Sequence, residues 1–437
     1  MLDLRNLTRR AAMRAFGLAC LLLGMTGVLA AQQQQQDCNV FVGWWESPDL
    51  KPIFTPDPTP QKEDCDFQIW SWTTFAHWVQ KDKTGQPAFL QLPTYGDLVS
   101  GNPARMAVGP RVLILRPRNE KAKSTSSVHQ PSGGVLVDQN GRAVYYATHM
   151  DPIYFAFTQK YFGPNNYKKA SPTLTYPLNA TVFKTSWRIV QANEDTSKVF
   201  TTKAAIDLLE SDGNGGVKLS GKIQSDVTVA LVGMHVVGVV KGHPEFAWAT
   251  FEQIDNAPDL PAGMNPRSPD PVNTNSFTFY KGGTPANASN VLSTNLTIDP
   301  NTQVISPITN VFRQFEYGGA SAIRVADIVS MNQHSRSEIT ARKGEKVDTV
   351  FAHYRLIGTA WMLANTLKPG DGNMASEAIG SIDLANATLE TFVQGAGNNC
   401  FGCHDTSGGS GYPGKDINQS HIILSKLPPD PRLLEAR

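Results

Sequence analysis

The pentapeptide Cys400-Phe401-Gly402-Cys403-His404 is the segment whose residue types and spacing most directly specify chemistry. Two thiols three positions apart reach the two vinyl groups of one porphyrin and form thioethers. The adjacent histidine is then held under the iron as its proximal ligand. C-x-x-C-H therefore predicts one covalent haem c, carried by Cys400, Cys403 and His404. A thioredoxin-like use of the two cysteines needs a βαβ neighbourhood, which the flanking sequence lacks. A zinc site needs two further ligands, for which His404 and His421 are the nearby residues. Residues 405–437 contain no methionine, so this is not the small cytochrome design in which a downstream Met closes the sixth iron position. That position falls to His421, to an upstream residue folded back, or to no residue. His421 stands between Asn418-Gln419-Ser420 and Ile422-Ile423-Leu424, where it suits a ligand or the start of an edge strand. His235, inside an apolar run, is the next choice and His243 the one after. Met234, Met362 and Met374 fit ordinary core packing.

Several elements must position this motif. Asn386–Gln394 reads as a capped helix leading into it, with Leu389, Phe392 and Val393 on the side that covers the ring. Asp66–Gln80 reads as a helix with Phe67, Trp70, Phe75, Trp78 and Val79 on one face. That stripe suits a core helix, and a haem-contacting wall is the sharper alternative. Arg111–Leu115 is a short strand, followed by a polar basic loop over 116–134. Val135–Val137 and Ala143–Tyr146 flank Asp138-Gln139-Asn140-Gly141, a hairpin signal. Asp151-Pro152 opens a helix with a cap and an N1 proline, and Gly163 closes it. Thr181–Val190 alternates as a strand. Asp212-Gly213-Asn214-Gly215-Gly216 resembles a calcium loop, but Ile223 stands where its twelfth-position carboxylate belongs, so a hairpin turn fits. Val227–Val240 predicts a buried strand with His235 on the pleat face of Val229, Leu231 and Val237. Pro258–Pro307 reads as an irregular excursion. Ile308–Phe315, Ala322–Met331 and Thr349–Leu363 read as helices. Strands and helices without βαβ alternation give an α+β fold in one large globular body.

The N-terminus reads as an address. Basic residues from Arg5 to Arg14 precede an apolar run, Ala15–Ala30, with small residues at its end, the pattern of a secretory signal. Thr8-Arg9-Arg10 hints at the twin-arginine route, but Ala12 stands where a bulky apolar residue belongs, so the general secretory route fits better. Residues 1–30 are thus expected to be a signal peptide, 31–370 an α+β body, and 371–437 a haem c-binding segment packed on it. Cleavage leaves no membrane span, and the expected location is periplasmic or secreted. In that compartment Cys38 and Cys65 are natural disulfide partners. The 437 residues carry 39 Lys+Arg against 38 Asp+Glu, a net charge of +1, which argues against nucleic acid as a partner. With 41% hydrophobic residues, the chain can bury a core.

The chain resembles a group of bacterial proteins described only as a cytochrome c family. The likeness runs through Gly134–Tyr146, Phe183–Arg188, Met234–Asn256, Tyr354–Trp361 and Asn386–Phe392, then the C-x-x-C-H. It implies a single haem near the C-terminus of a larger body, and export to the periplasm. Members often lack a histidine where His421 stands, which implies His235 over His421 as sixth ligand.

Motifs for a serine hydrolase, a zinc protease, a P-loop or a dinucleotide fold are absent from the sequence. Glu245, Glu252 and Asp255 cluster around His243, a pattern that suits salt bridging better than acid–base chemistry. One-electron transfer to a redox partner protein or small-molecule redox substrate is the first expectation. The alternatives are a peroxidase- or oxidase-like haem enzyme with an open distal position, for which His235, His243 and Arg188 are proton-handling candidates, and a haem-containing sensor or binding protein.

Overall fold

The computed structural model describes residues 60–100, 113–117, 134–342, 345–363, 366–397, 399–407 and 413–424. The expected leader, Cys38 and most of the loop at 116–134 lie outside them.

In chain order the elements are α1 (Pro60–Trp78), α2 (Tyr95–Ser100), β1 (Leu113–Pro117), β2 (Tyr145–Met150), α3 (Pro152–Tyr161), α4 (Pro164–Tyr167) and β3 (Thr181–Ile189). There follow β4 (Thr201–Ser211), β5 (Val217–Val240), β6 (His243–Gln253), β7 (Thr297–Asp299), β8 (Val304–Ser306), α5 (Ala322–Ala341), β9 (Tyr354–Met362), β10 (Ala378–Gly380) and α6 (Cys400–Cys403). The fold is α+β, as the sequence predicts. Eight strands form one sheet in the order β10-β9-β6-β5-β3-β2-β1-β4, and β4 also pairs with β5. The second pairing closes a ring, β5-β3-β2-β1-β4, which leaves those five strands without a free lateral edge there. Every pairing is antiparallel except β1 with β4.

Strand β5 explains both features. Its first part pairs with β4 from Val217 to Ala230, and its last part pairs with β6 from Gly233 to Val240. It starts ten residues earlier than the apolar run predicts, because Lys218–Asp226 is solvent-facing ladder with no apolar pattern to betray it. The register shifts opposite Ser186 and Trp187, which pair with Gly233 and Leu231 and leave Val232 as an extra residue. This bulge reverses the pleat. Val229 and Leu231 therefore join the core on one side of the sheet, while Val237 joins the core on the other and lines a cavity with His235. The expectation that His235 shares a face with Val229 and Leu231 is corrected on this ground.

Two layers cover the sheet. On one face α1 and α5 pack Phe67, Trp72, Phe75, Ile328 and Met331 into the core. Phe75 stacks on Phe251 at 4.2 Å and Phe67 on Trp361 at 4.2 Å. Each such side chain contributes roughly 1.5–3 kcal/mol on burial. Helix α1 is buried on nearly all sides between Phe67 and Ala76, not on one stripe. On the opposite face α3 and residues 384–424 pack Tyr154, Phe401, Ile417, Ile422 and Ile423 against Phe246 and Trp248. Alternate residues of β6 serve the two layers: Phe246 and Trp248 on one side, Ala247, Ala249 and Phe251 on the other.

Several expected elements form as read. Val137 bridges Ala143 across the turn, where Gly141 takes φ 74°. Asp151 caps α3 by accepting the Tyr154 N–H at 2.6 Å. Residues 212–216 turn between β4 and β5. Three expected helices do not form. Thr349–Leu363 is a short 3-10 turn, Thr349–His353, followed by β9. β9 is buried on both faces between β6 and β10, and such a strand presents the continuous apolar run of a buried helix. Ile308–Phe315 is extended, because Val311 and Arg313 donate their backbone N–H groups to Phe279 and Pro258 of the preceding excursion. Asn386–Gln394 is a succession of turns. Its N–H groups are drawn off by side chains: Ala387 donates to Glu252 at 2.8 Å, Thr388 to Asn386 at 2.9 Å, and Asn386 to Glu390 at 3.0 Å. Helix α5 extends ten residues beyond the Ala322–Met331 expected of it. β10 pairs with β9, so the C-terminal segment is stitched into the body's own sheet.

Candidate functional site

The one-turn helix α6 presents the C-x-x-C-H. Asn399 caps it, its side chain accepting the N–H groups of Phe401 at 3.1 Å and Gly402 at 3.2 Å. Phe401 points down and is fully buried, its ring edge-on to Trp248 at 6.4 Å. With that residue anchored, the turn leaves Cys400 and Cys403 on the wall of a cavity, and His404 follows at the helix end. The cavity has an empty volume of about 1190 Å³, its open mouth included. Its apolar walls come from the sheet through Val182, Val237, Phe246 and Trp248, and from the C-terminal segment through Leu384 and Ile422.

Both cysteines are free. Burial pushes their thiols up, and the nearby Glu390 carboxylate adds to the shift, so both are protonated at neutral pH. The His404 imidazole is held well below its ordinary pKa, by burial first and then by the neighbouring His421. It is therefore neutral. Its Nδ1 lies 2.9 Å from the Gln419 carbonyl. A carbonyl only accepts, so Nδ1 carries the proton and Nε2 keeps its lone pair. This is the tautomer of a metal-ligating histidine with its second nitrogen anchored.

His421 lies beside His404. The two rings stack at 4.0 Å with 17° between their planes, and Trp248 closes in at 4.2 Å from the His404 ring. His421 Nε2 donates to the Cys403 carbonyl at 2.9 Å, and burial lowers its pKa. It belongs to a turn over 421–424, not to an edge strand. A ring stacked on the His404 imidazole, with Nε2 committed to backbone, is not placed to reach from the opposite side a metal that His404 would hold. His235 also lines the cavity, and its Nε2 lies 2.9 Å from Glu390 Oε1.

The other expected candidates are not brought here. His243 is buried against Glu245, Nδ1 to Oε1 2.7 Å, with Phe67 edge-on at 5.0 Å. Arg188 pairs with Glu194, one bond at 2.9 Å. Glu252 faces Arg313, and Asp255 bonds Gln253, so of the three carboxylates near His243 in sequence only Glu245 meets it. None of α1 lines the cavity, which settles its aromatic stripe as core. Of Leu389, Phe392 and Val393, only Val393 lines the cavity. Met234, Met362 and Met374 are core residues, as expected. No group of three or more His, Cys, Asp or Glu side chains is arranged to hold a metal ion among the described residues, so the four-ligand zinc alternative is not assembled. A porphyrin iron needs one or two protein ligands and is not subject to that count. Cys65 is disulfide-bonded, and its expected partner Cys38 is outside the described residues. No helix among the described residues is long and apolar enough to cross a membrane.

Sequence reasoning missed Glu390, Asn399 and Trp248 as site residues. Asn399 was legible as a cap directly before a short turn, and Trp248 as the aromatic on the pleat face of Phe246. Glu390 had no local signal, since its partner is 155 positions away. No protein-family profile, no curated protein and no solved structure matches this chain.

Proposed function

We propose that the protein is an exported mono-haem c-type cytochrome that passes single electrons to or from a redox partner protein or small-molecule redox substrate. The observation that carries this reading is the convergence of two free thiols and a neutral, Nδ1-anchored imidazole on one apolar-walled cavity. Cys400 and Cys403 would each add S–H across one vinyl C=C, forming the S–C bond and passing the hydrogen to the other vinyl carbon. His404 would hold the iron through Nε2. When bound, the haem supplies a one-electron couple. The chain's own contribution is to fix the proximal imidazole through Gln419, to exclude water with Phe246 and Trp248, and to keep the thiols neutral until they react.

The test is production in cells competent for cytochrome c maturation, followed by haem staining on a denaturing gel and intact mass measurement. The expected result is one haem per processed chain, weakened in Cys403→Ser and absent in the Cys400/Cys403 double serine variant. A bare processed chain, or undiminished covalent haem in the double variant, refutes the reading. A second reading, a haem enzyme or sensor with an open distal position, is favoured by one observation: Nε2 of His235 and of His421, the sixth-position candidates that line the cavity, is already bonded, to Glu390 and to the Cys403 carbonyl.

A further inference from the structure

We propose that Glu390 holds His235 off the haem iron and so leaves the sixth coordination position open to a small axial ligand such as cyanide or carbon monoxide. The proposal rests on the haem c reading in its second form, with an open distal position, and assigns Glu390 as a positioning residue.

His235 stands on β5 between Lys184 of β3 and Thr250 of β6. The bulge at Val232 turns its imidazole toward the cavity that holds His404. On a strand, Nε2 is the ring nitrogen farthest from the backbone. Ligation through Nδ1 would press the residue's own Cβ against the macrocycle, so Nε2 is the atom that could reach an iron. That atom is bonded to Glu390 Oε1 at 2.9 Å.

The carboxylate is fixed from behind. Its Oε2 accepts the Asn386 N–H at 3.0 Å. Asn386 in turn donates its side-chain amide to Thr250 Oγ1 at 2.8 Å and to the Phe251 carbonyl at 3.1 Å. Thr388, two residues before Glu390, shares a 2.7 Å hydrogen bond with Ser186. All three anchoring groups belong to the same sheet that carries His235, so Glu390 and His235 are held by one scaffold. A charge-assisted imidazole–carboxylate bond is stronger than a neutral one. His421 does not substitute, because it stacks on His404 and bonds Cys403. The likeness that implied His235 as sixth ligand is thereby refined: the residue is in the right cavity, with its ligating atom engaged elsewhere.

The experiment uses the full-length holoprotein and four forms: wild type, Glu390→Ala, His235→Ala and the double variant. Ferric absorbance and EPR spectra report spin state, and cyanide titration reports access. Wild type is expected to be high-spin and to bind cyanide. Glu390→Ala frees Nε2, turns the iron low-spin and weakens cyanide binding at least tenfold. Removing His235 in the same background restores the high-spin spectrum and cyanide binding. A low-spin wild-type spectrum overturns the proposal, as does a Glu390→Ala protein that stays high-spin with unchanged cyanide affinity. Should Glu390→Ala not accumulate, wild type against His235→Ala decides: high-spin spectra in both support the proposal, and a low-spin wild type overturns it. Failure of the underlying haem reading is seen separately, as a chain without covalent haem on a denaturing gel, and takes this proposal with it.

Discussion

Gly233 is the residue on which the site's polar scaffold closes, and replacing it with alanine has a calculable consequence. Gly233 lies in β5 beneath the turn over 386–390. A Cβ built there stands 2.5 Å from Thr388 Oγ1, 2.7 Å from Ser186 Oγ and 2.9 Å from Asn386 Oδ1. Ordinary contact begins near 3.4 Å, so Thr388 must withdraw by about 0.9 Å. The 2.7 Å Thr388–Ser186 hydrogen bond cannot survive that withdrawal unchanged. All three partners are buried, so what they lose water does not replace. Overpacking of this kind costs roughly 1–3 kcal/mol and a lost internal hydrogen bond roughly 0.5–1.5. The backbone at Gly233 is not left-handed, so without the clash alanine would favour the strand by roughly 0.5–1 kcal/mol. The expected net loss is about 1–3 kcal/mol. It is measured by equilibrium urea unfolding followed through tryptophan fluorescence. The same displacement carries Glu390 away from His235, so the ferric spectrum of the holoprotein should gain a low-spin component. A Gly233→Ala protein within 0.5 kcal/mol of wild type, with an unaltered spectrum, would refute the role given to this turn.

Two further outcomes follow from buried charge. Arg313 is 1% exposed and pairs with Glu252, which is fully buried, and with Asp259; Arg313→Met should lower unfolding free energy by about 3–5 kcal/mol, because it strands Glu252 without its cation. A urea midpoint equal to wild type at unchanged slope would contradict that. Asp138 is 1% exposed, and burial lifts its carboxyl from 3.8 to about 6, against the Arg142 and Asn140 N–H groups that lower it. Because the folded pKa is the higher one, the stabilising contribution is complete below about pH 4 and is lost as pH rises through 6. Asp138→Asn keeps the oxygen that accepts those N–H groups and has no charge to bury. Between pH 4 and pH 7 the stability difference should therefore move in the variant's favour by up to about 3 kcal/mol; parallel stability curves would show that Asp138 does not titrate differently on folding.

What the sequence made legible was local. The Asp138–Gly141 turn, the Asp151 cap of α3 and the alternation of β3 each combine a backbone requirement with residues that meet it within a few positions. The C-x-x-C-H is legible for the same reason, since its chemistry is set by spacing inside one turn. Where the reading failed, a distant partner decided. β9 became a strand because β6 and β10 flank it, and residues 386–394 did not become a helix because Glu252 and the turn's own Asn386 and Glu390 side chains took the N–H groups a helix would have used. His235 changed faces because Val232 is one residue too many for the ladder with β3. A period-two reading assumes an unbroken pleat, and nothing within β5 itself announces the bulge.

The arrangement also accounts for the size of the body relative to its motif. The described residues of 399–424 form one turn of α-helix and a short 3-10 turn, too little structure to enclose a porphyrin by themselves. One wall of the cavity is borrowed from strands β2, β3, β5 and β6, through Thr148, Val182, Val237 and Trp248. Phe401, Ile417, Ile422 and Ile423 bury themselves on the same sheet face, in one core with Phe246 and Trp248. Thus the interactions that hold the C-terminal segment in place are also those that complete the cavity. Glu390 is supplied by the turn over 386–390 that leads into this segment and His235 by the sheet, so their bond forms only when that turn and the sheet have docked. On the reading proposed above, attachment of haem at the thioethers is a property of five residues, but the coordination of its iron is a property of the docked layers. A weakened dock, as at Gly233, would be read at the metal while the covalent links remained intact.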